Sequence, residues 1–116
     1  MRVLVCGGRD YADRAAVFGA LDAVRQRTSP GALQVIQGGA GGADALARAW
    51  CRIMRVPCVT EPAEWERHRK AAGPIRNQKM IDTYAPELVL AFPGGRGTAD
   101  MVSRAENAGI SVERAP

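Results

Sequence analysis

The chain has 116 residues, with 16 Lys and Arg against 12 Asp and Glu and a formal charge of +4. That length suits one domain with a core of its own, and 47% apolar with 24% charged residues excludes a disordered or fibrous chain. No apolar run approaches the ~20 residues of a membrane-spanning helix, and the opening MRVLVCGGRD reaches glycine and charge too soon for a signal peptide, so the reading is a single cytoplasmic domain over residues 1–116.

Val3-Leu4-Val5-Cys6 is a short apolar run stopped by Gly7-Gly8, the pattern of a buried strand. Val17, Phe18, Leu21 and Val24 recur at helical spacing and predict a helix over residues 12–27, with Asp10 or Asp13 as N-cap and Ser29-Pro30-Gly31 as its stop. Residues 33–36 predict a second strand running into glycine. From Gly42 a second helix follows, its apolar stripe formed by Leu46, Ala47, Trp50, Ile53 and Met54. Residues 56–60, with Pro57 early, suit an edge strand. The polar stretch 61–73 carries no periodicity. A helix over 75–84 is predicted with Pro74 at its first position, then a strand over 88–92, a helix over 98–108 ended by Gly109, and a last strand over 110–112. Short apolar strands alternating with helices predict an α/β fold, a three-layer Rossmann-like open sandwich around a mostly parallel sheet of about five strands.

The 13 glycines cluster at Gly7-Gly8, at Gly38-Gly39 with Gly41-Gly42, and at Gly94-Gly95 with Gly97. Each cluster follows a strand and opens a helix, so all three are expected on the edge where such sheets bind ligands. Glycine lets an anion approach the free amides of a helix's first turn, and the macrodipole favours it there. Neither a G-x-x-x-x-G-K-[ST] loop nor a G-x-G-x-x-G turn occurs, which disfavours a P-loop NTPase and an ordinary dinucleotide fold. Arg9, Arg76 and Arg96 are the cations in or beside these loops, and guanidinium groups suit phosphate. Asp44 is expected to cap its helix or to accept from a ribose hydroxyl, and Thr98 to cap its helix while donating to phosphate. Trp65 suits stacking on a base or packing over the sheet edge. Arg67, Arg69 and Lys70 read as a solvated face. Cys6, Cys51 and Cys58 are expected as reduced thiols packed like small hydrophobes, and His68 lacks partners at ligand spacing, so no metal and no cofactor are expected.

Pro93-Gly94-Gly95-Arg96-Gly97-Thr98 resembles the P-G-G-x-G-T loop of the LOG phosphoribohydrolases, and Gly38 to Asp44 resembles the second glycine loop of the wider SMF/DprA–LOG (SLOG) superfamily. Gly7-Gly8-Arg9-Asp10, Pro62-Ala63-Glu64-Trp65, Ala72-Gly73-Pro74-Ile75-Arg76-Asn77 and Gly97-Thr98-Ala99-Asp100-Met101 are similar to its YspA-like, cpYpsA-related branch. The resemblance implies binding or sensing of a phosphorylated nucleoside derivative, such as a nucleoside monophosphate or ADP-ribose. Its ligand set would be Gly7, Gly8, Arg9, Gly38, Gly39, Gly41, Gly42, Asp44, Trp65, Arg76 and Asn77, with Pro93, Gly94, Gly95, Arg96, Gly97 and Thr98. A homodimer is expected on the same ground.

LOG proteins place a catalytic Arg in an R-x-x-x-M segment, which Arg76 to Met80 resembles, and a Glu three residues after the Thr, where this chain has Met101. Glycosidic cleavage needs a carboxylate near its oxocarbenium-like state. One step along a helix turns Asp100 by roughly 100° from Met101, and Glu106 lies about 140° away, so neither is expected to replace the missing Glu. Arg76, Asp44 and Asp100 are the catalytic candidates for this alternative, and Asp10 is a further carboxylate on the edge. A DprA-like single-stranded DNA partner is a third reading, disfavoured by the modest charge and 5% aromatic residues.

Overall fold

A computed structural model describes residues 1–115. The chain runs β1 (Arg2–Cys6), α1 (Arg14–Gln26), β2 (Gln34–Gln37), α2 (Ala43–Met54), β3 (Cys58–Thr60), α3 (Trp65–His68), a 3₁₀ turn (Arg69–Ala71), α4 (Ala72–Tyr84), β4 (Leu88–Ala91), α5 (Arg96–Asn107) and β5 (Ser111–Arg114). The sheet order is β3-β2-β1-β4-β5 and all four pairings are parallel. The α/β Rossmann-like sandwich expected from the alternation is therefore present. Among the described residues no helix is long and apolar enough to cross a membrane.

Strand alternation divides the core into two layers. Val3, Val5, Val35, Leu88 and Leu90 meet Val17, Leu21 and Val24 of α1 and Ala47, Trp50 and Cys51 of α2. Leu4, Cys6, Ile36, Val89 and Ala91 meet Met80 and Ile81 of α4 and Met101, Val102 and Ala105 of α5. Both layers bury apolar side chains, which is why β1 and β4 read as continuous apolar runs rather than as alternating ones. The chain moves outward from β1 to β3, then crosses back to β4 on the other side of β1. That reversal opens a crevice above β1 and β4.

Several predicted boundaries shift for identifiable reasons. Asp13, not Asp10, caps α1, its Oδ1 accepting from the Ala16 amide at 3.0 Å. Ile53 is 57% exposed: the buried stripe of α2 includes Cys51, and a residue two positions on lies about 200° round the helix. The α4 helix starts three residues before Ile75, so Pro74 is its third residue, still within the first turn where no amide partner is needed. The α5 helix starts at Arg96 with Gly95 as N-cap, so Thr98 lies inside the helix and does not cap it. Cys58 is exposed, unlike the packed thiol expected there.

Candidate functional site

The turns after β1, β2 and β4 meet over the carboxyl ends of their strands, and between them and α4 lies a cavity of about 580 Å³. Its wall includes Gly7, Gly8 and Arg9 from the first turn, Gly38 and Asp44 from the second, and Gly95, Arg96, Gly97 and Thr98 from the third. Trp65, Arg76, Asn77 and Asp100 complete the set of sequence candidates that share it. Gly39, Gly41, Gly42, Pro93, Gly94 and Asp10 do not line it.

Some of these glycines bring loop to loop. Gly8 donates its amide to the Pro93 carbonyl at 2.8 Å, and its carbonyl accepts from Tyr11 and Ala43. A Cβ on Gly94 would meet the Gly8 amide nitrogen at 2.6 Å and the Thr98 hydroxyl. The first and third turns therefore pack backbone against backbone. Gly95 and Gly97 differ: a Cβ on either would meet nothing within 4 Å, and both line the cavity.

The second turn satisfies its own amides. Asp44 Oδ2 accepts from the Gly38 amide at 3.1 Å and from the Ala40 amide at 3.2 Å, and Gln37 Oε1 accepts from the Gly39 amide at 2.7 Å. The expectation that Asp44 caps α2 is corrected, since Gly42 is the N-cap with no side-chain bond and the carboxylate folds back onto the preceding turn. At the start of α5, too, no side chain caps the helix.

Burial pushes the Asp44 carboxyl above the ordinary carboxylate range, against the pull of the Ala40 and Gly38 amides and the Arg76 and Arg48 charges. A raised pKa in the folded state means that ionising Asp44 costs stability as pH rises through the raised value. Asp44→Asn keeps an oxygen for both amides and is expected to stay within about 1 kcal/mol of the parent while losing this pH dependence. Asp44→Ala leaves two amides without their acceptor and is expected to lose about 2–3 kcal/mol. Urea unfolding across pH 4–7 measures both, and equal losses for the two variants would contradict the hydrogen-bonding role.

Arg76 is half-buried, with Nη1 donating to the Gly38 carbonyl at 2.8 Å and Nε to Asn77 Oδ1 at 3.0 Å. Its place beside Asp44 and across from Arg9 is set by α4, and burial lowers its pKa without discharging a guanidinium. Arg9 stands with its guanidinium carbon 5.6 Å from the Trp65 ring centroid, so the exposed Trp65, which α3 supplies, forms a flat cation-backed wall.

Asp100 departs from the expectation based on helix rotation. Met101 turns into the core layer between the sheet and α4 and α5 and is fully buried, whereas Asp100 faces the cavity. Its Oδ2 accepts from Asn77 Nδ2 at 2.9 Å and from Arg104 Nε at 2.8 Å. Burial works to raise its pKa, but the Arg104 and Asn77 hydrogen bonds and the Arg104 charge outweigh it and hold Asp100 below the usual carboxylate value. Asn77 also donates to the Gly97 carbonyl at 3.2 Å, so this buried amide fixes the first turn of α5. Glu106 lies away from the cavity.

Sequence reasoning missed Lys70, Ala40 and Met80 as cavity residues. Met80 carried a signal, because residues four apart share a helix face and Arg76 was already chosen. Lys70 was hidden in a run of charge. Among the described residues no group of three His, Cys, Asp or Glu is placed to hold a metal ion.

A family model described as YAcAr, the YspA, cpYpsA-related SLOG family, matches residues 1–68. That span holds the first two glycine turns and Trp65, while the β4 turn lies beyond it. The chain is 42% identical over 118 residues to the Gene 61 protein of Mycobacterium phage D29, an alignment covering 96% of this chain and 93% of that protein. The X-ray structure of TM1055, a structural-genomics target, superposes with a TM-score of 0.73 over 96% of this chain and 71% of that one, and at 16% identity the likeness is one of fold. On its own residues and on these matches, the chain belongs to the YspA, cpYpsA-related SLOG family.

Proposed function

We propose that the cavity binds a phosphorylated nucleoside derivative of the nucleoside monophosphate or ADP-ribose type, and that the protein acts as a binding or sensing module. The observation that carries this reading is the pairing, in one cavity of about 580 Å³, of an uncapped helix start flanked by Arg96 with a Trp65 ring backed by Arg9. The amides of Arg96, Gly97 and Thr98 take the phosphate, helped by the helix dipole. Arg76 adds positive charge from α4, and the Trp65 face receives the base. Asp100, with Oδ2 engaged by Asn77 and Arg104, keeps its second oxygen for a ribose hydroxyl. Melting the protein with phosphorylated nucleosides and with their unphosphorylated parents tests this. A ligand at a hundred times its Kd adds about 2.7 kcal/mol, so a Tm rise of several degrees is expected with the phosphorylated members alone. A panel that moves nothing overturns the proposal.

The position of Asp100 favours a second reading, hydrolysis of the N-glycosidic bond. A carboxylate kept ionised by Arg104 and Asn77, in one cavity with Arg76, is suited to stabilising an oxocarbenium-like state in place of the glutamate absent at Met101. Incubation with nucleoside monophosphates and chromatography of the released base tests it. Release abolished by Asp100→Asn supports the reading, and release that survives Asp100→Asn combined with Asp44→Asn overturns it.

A further inference from the structure

Cys51 and Cys58 lie outside the cavity, and nothing in the proposed function uses them. Cys58 opens the edge strand β3, where its register partner on β2 is Val35. Neighbouring residues in a parallel register point to the same face, and Val35 belongs to the core layer covered by α1 and α2, which also holds Cys51. The two thiols therefore face each other between β3 and α2: Gln37 links Cys58 to Arg48, which lies one helical turn before Cys51 on the same face of α2. Cys51 is buried beneath and Cys58 is exposed above.

The surroundings of this pair are polar on one side. Gln37 is fully buried, and its Nε2, which donates to Thr60 Oγ1 at 2.5 Å, also lies 3.7 Å from Cys58 Sγ. The same amide group is held by Arg48, which donates to Gln37 Oε1 at 2.9 Å. The neighbouring Cys51 thiol, the Gln37 amide and the Arg48 charge bring the Cys58 thiol down to about 7, against partial burial and the Asp44 charge. Cys51 moves the other way and keeps its proton, chiefly through the neighbouring Cys58 and then through burial. Cys6 supplies an internal contrast, since burial and then the Asp44 charge push its thiol up to about 12.

We propose that Cys58 and Cys51 form an oxidant-reactive thiol pair, in which Cys58 reacts with a hydroperoxide and Cys51 resolves the product into an intramolecular disulfide. The Cys58 thiolate attacks one peroxide oxygen, the O–O bond breaks, and the departing oxygen takes up a proton. The resulting sulfenic acid is attacked by Cys51 sulfur, the S–S bond forms, the S–O bond breaks, and the Cys51 proton leaves with the hydroxide as water. With hydrogen peroxide, two thiols and one peroxide give one disulfide and two waters.

The test uses the reduced full chain at pH 7. Iodoacetamide is expected to label Cys58 at least about tenfold faster than Cys6 or Cys51. Brief treatment with hydrogen peroxide should lower the intact mass by two hydrogens, and peptide mapping should recover the Cys51 peptide joined to the Cys58 peptide. Cys51→Ala should leave a sulfenic acid on Cys58 that a dione reagent captures, while Cys58→Ser, a change at an exposed position, should abolish the disulfide with the fold intact by circular dichroism. Cys58 labelling no faster than Cys6, a bond through Cys6 or between two chains, or no disulfide at all overturns the proposal.

Discussion

Gly42→Ala is expected to cost about 3–5 kcal/mol and to leave the protein partly unfolded at room temperature. Gly42 has φ 60° and ψ −126°, a conformation that side-chain-bearing residues rarely adopt. A Cβ there would press on the Gly8 carbonyl oxygen and lie within 2.6 Å of the Arg9 carbonyl carbon. Neither group yields easily, because Gly8 is fixed by its bonds to Pro93, Tyr11 and Ala43. The strain would reach both the first and the third turn, so the cavity should be lost along with stability. Gly97→Ala is the contrast. Its Cβ meets nothing and it replaces glycine within a helix, so stability should hold or rise slightly while ligand affinity falls. Urea unfolding of the two variants checks the pair, and a Gly42→Ala protein as stable as the parent would contradict the account of the loop junction.

The largest expected effect on ligand binding is at Arg76. Arg76→Met should weaken a nucleoside monophosphate about 30–100-fold, or about 2–3 kcal/mol, measured by titration calorimetry. The change removes one of the two cations that act on Asp44 and leaves that buried carboxylate opposed only by Arg48 and the two amides. The Gly38 carbonyl also loses its donor, so a stability loss of about 1–2 kcal/mol should accompany the binding loss. Arg76→Lys should recover part of the affinity, since it restores charge without the planar fork. Affinity within twofold of the parent in Arg76→Met would place the phosphate elsewhere.

Strands β1 and β4 were the most legible, because each is a short apolar run and burial on both faces leaves no other pattern available. Their order put the glycine turns on one edge, and the cavity lies there. Helix starts were less legible. Ala72-Gly73-Pro74 and Arg96-Gly97 contain poor helix formers, yet a first turn needs no amide partners, so packing carries both helices further back than propensity suggests. The four-residue α3 has no room for a periodic pattern, which is why Trp65 could be chosen for its chemistry but not assigned to an element.

Asp44 and Asp100 mark the limit of sequence reasoning about the site. Which group Asp44 accepts from depends on how the chain folds back through Gly42, and residue spacing does not encode that path. The expectation that Asp100 does not replace the glutamate missing at Met101 depends on how α5 is rotated about its axis. Core packing of Met101, Val102 and Ala105 sets that rotation instead, and it brings Asp100 round to the cavity. The adjoining turns also proved to use much of their glycine for packing against one another, while Gly95 and Gly97 at the start of α5 face open space.

The most direct measurement is a nuclear magnetic resonance titration of the ¹⁵N-labelled chain with a nucleoside monophosphate. The amides of Arg96, Gly97 and Thr98 and the Trp65 indole should shift together along one binding curve, while the Gly38 and Ala40 amides, held by Asp44, move little. No shift at the start of α5, or shifts confined to the separate cavity beside Arg25 and Arg55 at the opposite end of the sheet, would contradict the account.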